Sequence, residues 1–228
     1  MGPVEPLDHE TKYVLPERAA RSAAALLAGV CRRDDEHAES VVESIYFDTP
    51  ELASWGEKRA SDYRKTKIRL RWYDGGGPVW LELKRRVGSR REKRRLPVAL
   101  DGALLSRRGL AAPELAVPTL LLAALGEPLP AALAPVAHLR YRRSRYLAHP
   151  DGARLALDRA IEWLALDARR CRVSPPAART GALPHAVVEL KGASRDLPAI
   201  LAGLAALGAR RGSFSKYGAC LAAGFGEA

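Results

Sequence analysis

Several segments of this chain alternate in residue type with a period of two, and in most of them one face is cationic. In Lys67-Ile-Arg-Leu-Arg-Trp-Tyr73, one face carries Lys67, Arg69, Arg71 and Tyr73, and the other Ile68, Leu70 and Trp72. After a turn spelled Asp74-Gly75-Gly76-Gly77-Pro78, Val79, Leu81 and Leu83 oppose Trp80, Glu82 and Lys84. Asp8 to Leu15, Ser44 to Phe47, Lys93 to Val98, Arg140 to Leu147, Arg154 to Ile161 and Ala186 to Lys191 are further strand candidates. A half-exposed sheet usually mixes both signs on its polar face. For any single strand, an outward basic surface is the simplest reading. For the whole set it weakens, because like charges opposite one another destabilise a sheet unless an anion compensates them. The expectation is an α+β fold, a closed antiparallel β-barrel with helices packed around it. Its interior would be wet and lined by Arg69, Arg71, Lys84, Arg143 and Lys191.

Helical stretches separate the strands. Pro16 to Val30 opens with a proline suited to a first turn. Asp101 to Leu133 reads as two short helices broken at Pro113, Pro118 and Pro128. Asp196 can cap a helix whose apolar stripe is Leu197, Ile200, Leu201, Leu204 and Leu207. Segment 172–185 reads as a loop. With no internal repeat and no long linker, residues 1–228 read as one domain.

Composition narrows the partner. Hydrophobic residues make up 47% of the 228, enough for a core and against wholesale disorder. Thirty-seven Lys and Arg oppose 26 Asp and Glu, a net charge of +11, which calls for an anion: a nucleic acid, a polyphosphate, a nucleotide or an anionic membrane face. Cys31, Cys171 and Cys220 lack metal or redox spacing and suit a reducing cytoplasm. The first apolar stretch, Ala19 to Val30, contains Arg21 and Ser22 and is no signal peptide. The Ala/Leu run from Leu110 to Leu139 is interrupted by five prolines and two glutamates, so no transmembrane segment is expected and a cytoplasmic location is.

Nine motifs then fall in order: Glu10-Thr-Lys12-Tyr13, Ser44-Ile-Tyr-Phe-Asp-Thr49, Lys67-Ile-Arg-Leu-Arg71, Leu81-Glu-Leu-Lys84, Lys93-Arg-Arg-Leu-Pro97, Tyr141-Arg-Arg143, Leu155-Ala-Leu-Asp158, Val188-Glu-Leu-Lys191 and Phe214-Ser-Lys-Tyr217. From about Glu10 to about Tyr217 the chain resembles the polyphosphate polymerase domain of the vacuolar transporter chaperone (VTC) family, in its stand-alone bacterial form. That domain belongs to the triphosphate tunnel metalloenzyme superfamily. The resemblance implies a tunnel-forming barrel in which Arg69, Arg71, Lys84, Arg143 and Lys216 serve catalysis. Lys12, Lys93, Lys191 and Ser215 would hold substrate, and Glu189 with Glu10 would hold Mn²⁺ or Mg²⁺. Physical chemistry is consistent with these roles: arginine offers a planar fork to phosphate oxygens, lysine a compact charge. A glutamate among cations stays ionised and can give one oxygen to a metal otherwise held by phosphates and water.

The chain departs from the family's pattern in places. Many superfamily members open with two glutamates and a lysine at alternate positions; here Asp8-His-Glu10-Thr-Lys12 keeps the spacing and shortens one arm, which leaves hydrolysis less certain. Ser213 stands where another cation would strengthen the polymerase reading. No inositol-phosphate-sensing domain is expected before the barrel and no transmembrane segments after it. Tyr46, Phe47 and Trp55 read as packing, and Asp48-Thr49-Pro50 as a turn. Trp72 and Trp80 could stack a nucleobase, although core or rim packing suits their spacing better. His9, His138 and His185 lack metal spacing. Arg90-Arg-Glu-Lys-Arg-Arg95 resembles a nucleic-acid patch, and a solvated hairpin leading into the next strand explains it as well.

The expected function is metal-dependent transfer of the terminal phosphate of ATP, or another nucleoside triphosphate, to inorganic polyphosphate or pyrophosphate, with no nucleic acid as partner. The alternatives are hydrolysis of inorganic or nucleoside triphosphate, with water as acceptor, and a non-catalytic polyphosphate-binding module. A binder needs the cations but not Glu189, which therefore separates the two classes.

Overall fold

The computed structural model describes residues 9–60, 63–88, 90–108, 110, 114, 116–128, 132–148, 152–164, 166–167, 172–173, 179–192 and 198–224. In chain order its elements are β1 (His9–Pro16), α1 (Ala20–Val30), β2 (Cys31–Arg33), β3 (Glu39–Asp48), α2 (Ala53–Arg59), β4 (Arg64–Tyr73), β5 (Gly76–Val87), β6 (Arg90–Asp101), α3 (Gly102–Arg108) and α4 (Val117–Ala124). They continue with β7 (Ala134–Ala148), β8 (Arg154–Leu164), β9 (Leu166–Asp167), β10 (Arg172–Val173), β11 (Arg179–Ala182), β12 (His185–Gly192), α5 (Gly203–Ala206), β13 (Arg210–Arg211) and α6 (Lys216–Gly224). Two compact units divide the chain. One comprises 1–40, 141–161 and 182–215; the other comprises 41–140, 162–181 and 216–228.

In the first unit, β1 pairs antiparallel with β12 along its whole length, and β12 pairs with β8. The alternation of these strands sends Tyr13, Leu15, Leu155, Leu157, Val188 and Leu190 into one core. Helix α1 covers that core with Ala20, Ala23 and Leu27, whose three- and four-residue spacing puts them on one helical face. Leu201 and Leu204 close it from the C-terminal side.

The second unit is built on the β3-β4-β5-β6 meander. Asp74 and Gly75, both at positive φ, form a two-residue turn that joins β4 to β5. The expected five-residue turn is therefore shorter, and the strand resumes at Gly76. Ile45, Phe47, Ile68, Leu70, Trp72, Val79, Leu81 and Leu83 make the apolar face, covered by Leu105 of α3 and Leu122 of α4. The Trp72 indole donates to Ser106 Oγ at 2.7 Å, and Ser106 donates to Glu43 Oε1 at 2.9 Å. His138 Nε2 lies 3.3 Å from Glu43 Oε2, with His138 wholly buried. Burial alone pushes the Glu43 carboxyl up, but His138, Ser106 and Arg140 outweigh it and hold it below the ordinary range.

Eight expected strands form, each longer at one or both ends. The closed barrel does not. The strands follow the hydrogen-bonded order β13-β1-β12-β8-β7-β3-β4-β5-β6, a path with two ends, and among the described residues no pairing joins β13 to β6. The fold is mixed α+β with an open sheet, and Arg69, Arg71, Lys84, Arg143 and Lys191 do not line a barrel. Closure was expected so that an enclosed anion could compensate the cations. Carboxylates from within each unit supply part of that compensation without closure. One end of the path, β6, is an exposed edge strand carrying five cations and Pro97; the other is two residues long. Both are ways of protecting an open edge.

Smaller corrections follow the same logic. Segment 172–185, expected as a loop, contains β10 and β11 and begins β12, the first two too short to show a period. Pro118 begins α4 instead of breaking a helix. The 196–207 helix is reduced to a 3₁₀ turn at Ala199–Leu201 and α5. Asp8, Cys171 and Asp196 lie outside the described residues. No described helix is long and apolar enough to cross a membrane.

The buried Trp72–Ser106–Glu43 chain generates a stability prediction. Ser106→Ala leaves the Trp72 N–H and Glu43 Oε1 without their shared partner and should cost about 1–3 kcal/mol. Urea unfolding should show a lower midpoint with an unchanged slope.

Candidate functional site

The second unit gathers cations on one face of its central strands. Register places Arg71 beside Trp80, Arg69 beside Glu82, and Lys67 beside Lys84. It continues these rows to Pro97, Arg95 and Lys93 on β6. In these three rows six cations share the face with one carboxylate. Arg69 and Arg71 are buried, at 9% and 6% exposure, while Lys84 is half-buried and Lys93 exposed.

Glu82 is the hub of this arrangement. Arg69 Nε donates to Glu82 Oε2 at 2.8 Å, and its Nη2 bonds the same oxygen. Arg71 Nη1 lies 3.8 Å from that oxygen, and Arg95 Nε lies 3.7 Å from Oε1. Burial would raise the Glu82 carboxyl, but Arg69 and Arg71 overcome it and hold the group far below the usual carboxylate range. From β3, Ser44 Oγ accepts from Arg71 Nε at 3.0 Å and the Tyr46 hydroxyl accepts from Arg69 Nη1 at 2.8 Å. Tyr46 is buried, which raises its phenol, yet Arg69, Arg71 and Lys67 more than reverse that effect.

Tyr46 also stacks on Tyr217 of α6, with centroids 4.9 Å apart. The Tyr217 hydroxyl donates to Asp48 Oδ2 at 2.6 Å, and burial together with Asp48 pushes its phenol up. Asp48 in turn accepts from the backbone N–H groups of Thr49, Ser54 and Trp55, capping α2. Lys216, half-buried, opens α6 immediately before the anchored Tyr217.

The first unit holds a separate cluster whose charges balance. Lys12 Nζ lies 3.3 Å from Glu10 Oε1 and 3.7 Å from Glu189 Oε1, and donates to the Phe214 carbonyl at 3.1 Å. Arg143 grips Asp158 with two bonds, at 2.6 and 2.7 Å, and donates from Nη2 to Glu189 Oε2 at 2.9 Å. Lys191 Nζ lies 3.9 Å from Glu10 Oε2. Three cations therefore face Glu10, Asp158 and Glu189. Arg143 is half-buried, which opposes its charge, but Asp158, Tyr141 and Glu189 hold it firmly protonated. Ser215 is half-buried in this unit.

Among the described residues no group of three or more His, Cys, Asp or Glu could hold a metal. Among those residues a cage made wholly of protein ligands therefore does not fit. Glu10 and Glu189, both beside Lys12, fit a hard cation that takes one or two carboxylates and completes its shell with phosphate oxygens and water.

Sequence reasoning placed the cations by alternation but left Glu82, Ser44, Tyr46, Asp48, Asp158 and Tyr217 out of the site. Glu82 had a signal, as the one acidic residue among the cations of Lys67 to Arg71, Trp80 to Lys84 and Lys93 to Arg95 on that face. Tyr46 had none, since its hydroxyl meets a guanidinium 23 residues away.

A pH prediction comes from Glu82. Its depressed carboxyl contributes stability that is present above the unfolded value, about 4.3, and is lost as pH falls through the lower folded value. Glu82→Gln should cost about 3–5 kcal/mol at neutral pH by leaving Arg69 uncompensated. The penalty should shrink in strong acid, and thermal unfolding of both proteins across pH checks this.

Residues 7–225 match the VTC domain family. No curated protein matches the chain. Among solved structures, a putative adenylate cyclase from Bacillus halodurans is similar at 13% identity over 91% of this chain and 93% of its own, with a TM-score of 0.54. A Pyrococcus horikoshii OT3 protein shares 15% identity over 93% and 98%, with a TM-score of 0.47. A conserved hypothetical protein from Pyrococcus furiosus shares 11% over 87% and 90%, at 0.40. The first likeness shows a common fold, and at that identity nothing about activity. Matched over nearly its whole length, the chain belongs to the VTC domain family, within the triphosphate tunnel metalloenzyme superfamily, whose members act on phosphate-containing substrates.

Proposed function

We propose that this protein is a metal-dependent enzyme that cleaves the terminal phosphoanhydride of inorganic triphosphate or a nucleoside triphosphate, with water as acceptor. The observation that carries the reading is the charge excess in the three rows across β4 to β6, where six cations share one carboxylate. Such a face is favourable only with an anion of several charges, and a linear triphosphate supplies them. Arg69, Arg71, Lys84 and Lys93 bind phosphate oxygens in this account, and Lys216 adds a further cation. Lys12, Arg143, Lys191 and Ser215 are assigned to holding the substrate, and Glu189 with Glu10 to the metal.

In the reaction, the oxygen of water forms a bond to the terminal phosphorus as the bond from that phosphorus to the bridging oxygen breaks. The bridging oxygen leaves on the diphosphate with the electron pair, and the proton passes to solvent. Arginines already oriented by Glu82, Ser44 and Tyr46 stabilise the charge that develops, without reorganising at that moment. Bound Mg²⁺ or Mn²⁺ would polarise the phosphate oxygens it touches. Transfer to a growing polyphosphate chain is the second reading, favoured by the family match itself. The chemistry at phosphorus is the same, with a phosphate oxygen as the attacking atom.

Glu189→Gln tests the metal assignment. Arg143 keeps both bonds to Asp158, so the fold should survive. Triphosphate binding should be unchanged or tighter, while turnover should fall at least about 100-fold, since a metal contributes several kcal/mol to the transition state. Chelation of the metal should abolish wild-type turnover, and phosphorus NMR should show orthophosphate as product. Near-normal turnover in the mutant would remove Glu189 from the site, and polymer as product would establish the second reading.

A further inference from the structure

Of the two tryptophans able to stack a base, Trp72 is wholly buried in the core. Trp80 is not. It is half-buried, on the same face as Arg71 and one row from Arg69 and Glu82. The Arg95 guanidinium carbon sits over its ring, 4.0 Å from the centroid. Arg95 Nε is also 3.7 Å from Glu82 Oε1, so the guanidinium is tethered between indole and carboxylate while its side chain stays 38% exposed.

The geometry points to Trp80 and Arg95 as a nucleobase platform, on which the base of a nucleoside triphosphate stacks against the guanidinium that the indole supports. This rests on the reading that the neighbouring cations take the phosphates. Stacking of bases on aromatic rings and guanidinium planes is a general mode of recognition. Along the face, the row of Arg71 and Trp80 is followed by the row of Arg69, Glu82 and Arg95, and then by the row Lys67–Lys84–Lys93, so cations run from beside the indole to the far end. Trp80 and Lys84 are four residues apart on one strand, about 14 Å at roughly 3.4 Å per residue, comparable with an extended nucleoside triphosphate. Inorganic triphosphate makes no use of a stacking plane, so the platform would make the site prefer nucleotides.

Calorimetric binding of ATP and of inorganic triphosphate, each with Mg²⁺, separates the possibilities. Trp80→Leu removes the ring, and Arg95→Lys keeps the charge while losing the plane. Each should weaken ATP about tenfold and leave inorganic triphosphate within about twofold, while Trp80→Phe should stay near wild type for both. Because Arg95 is exposed, Arg95→Lys gives a folded test even if Trp80→Leu does not. Equal losses for both ligands would overturn the platform and assign the pair to the phosphate cluster. Unchanged ATP affinity would overturn it as rim packing. If the wild type bound neither ligand, the phosphate reading would fall and the platform with it.

Discussion

Glu82 is the carboxylate around which the arginines of the central hairpin are arranged. Arg69 grips it with two nitrogens, and Arg71 and Arg95 approach it from the neighbouring positions. Without it, two buried guanidinium groups would stand side by side in a low-dielectric surrounding, each raising the cost of the other. With it, they are held in fixed orientations and charged. The same carboxylate leaves the face strongly positive, because one negative charge cannot neutralise six. The fold and the proposed anion binding therefore share one group that compensates only in part.

The two units treat charge differently. The Lys12, Arg143 and Lys191 cations of the first unit meet Glu10, Asp158 and Glu189 in equal number. A balanced cluster offers carboxylate oxygens beside its cations, which suits a phosphate chain that carries a hard cation. The face of β4 to β6 has the opposite character, with excess positive charge and little carboxylate. On the reverse side of β5 and β6 the cations are answered from within: Arg85 and Arg94 both pair with Glu127, and Arg94 also with Glu92.

Much of this was legible in the sequence because period-two alternation is a local property. Lys67 to Tyr73 and Val79 to Arg86 show their faces without any knowledge of partners, and the cationic side of the hairpin follows from them. Closure is not local. It depends on whether the first and last strands of the path meet, and no residue pattern within β6 or β13 encodes that. The cations do not require an enclosed anion for the strands to form, because Glu82 on the same face compensates part of their charge. The Tyr46–Tyr217–Asp48 relay was invisible for another reason. Asp48 and Tyr217 are 169 residues apart and meet only in the fold.

The central claim is that a discrete, partly buried set of cations selects a linear phosphate chain over other polyanions. Competition between labelled inorganic triphosphate and duplex DNA, at equal phosphate concentration and physiological salt, tests it most directly. There the Debye length is about 8 Å, and binding by a diffuse basic surface is weakened steeply. The account predicts that triphosphate stays bound and DNA fails to displace it. Ready displacement by DNA would contradict it, and would make the basic face a nucleic-acid surface.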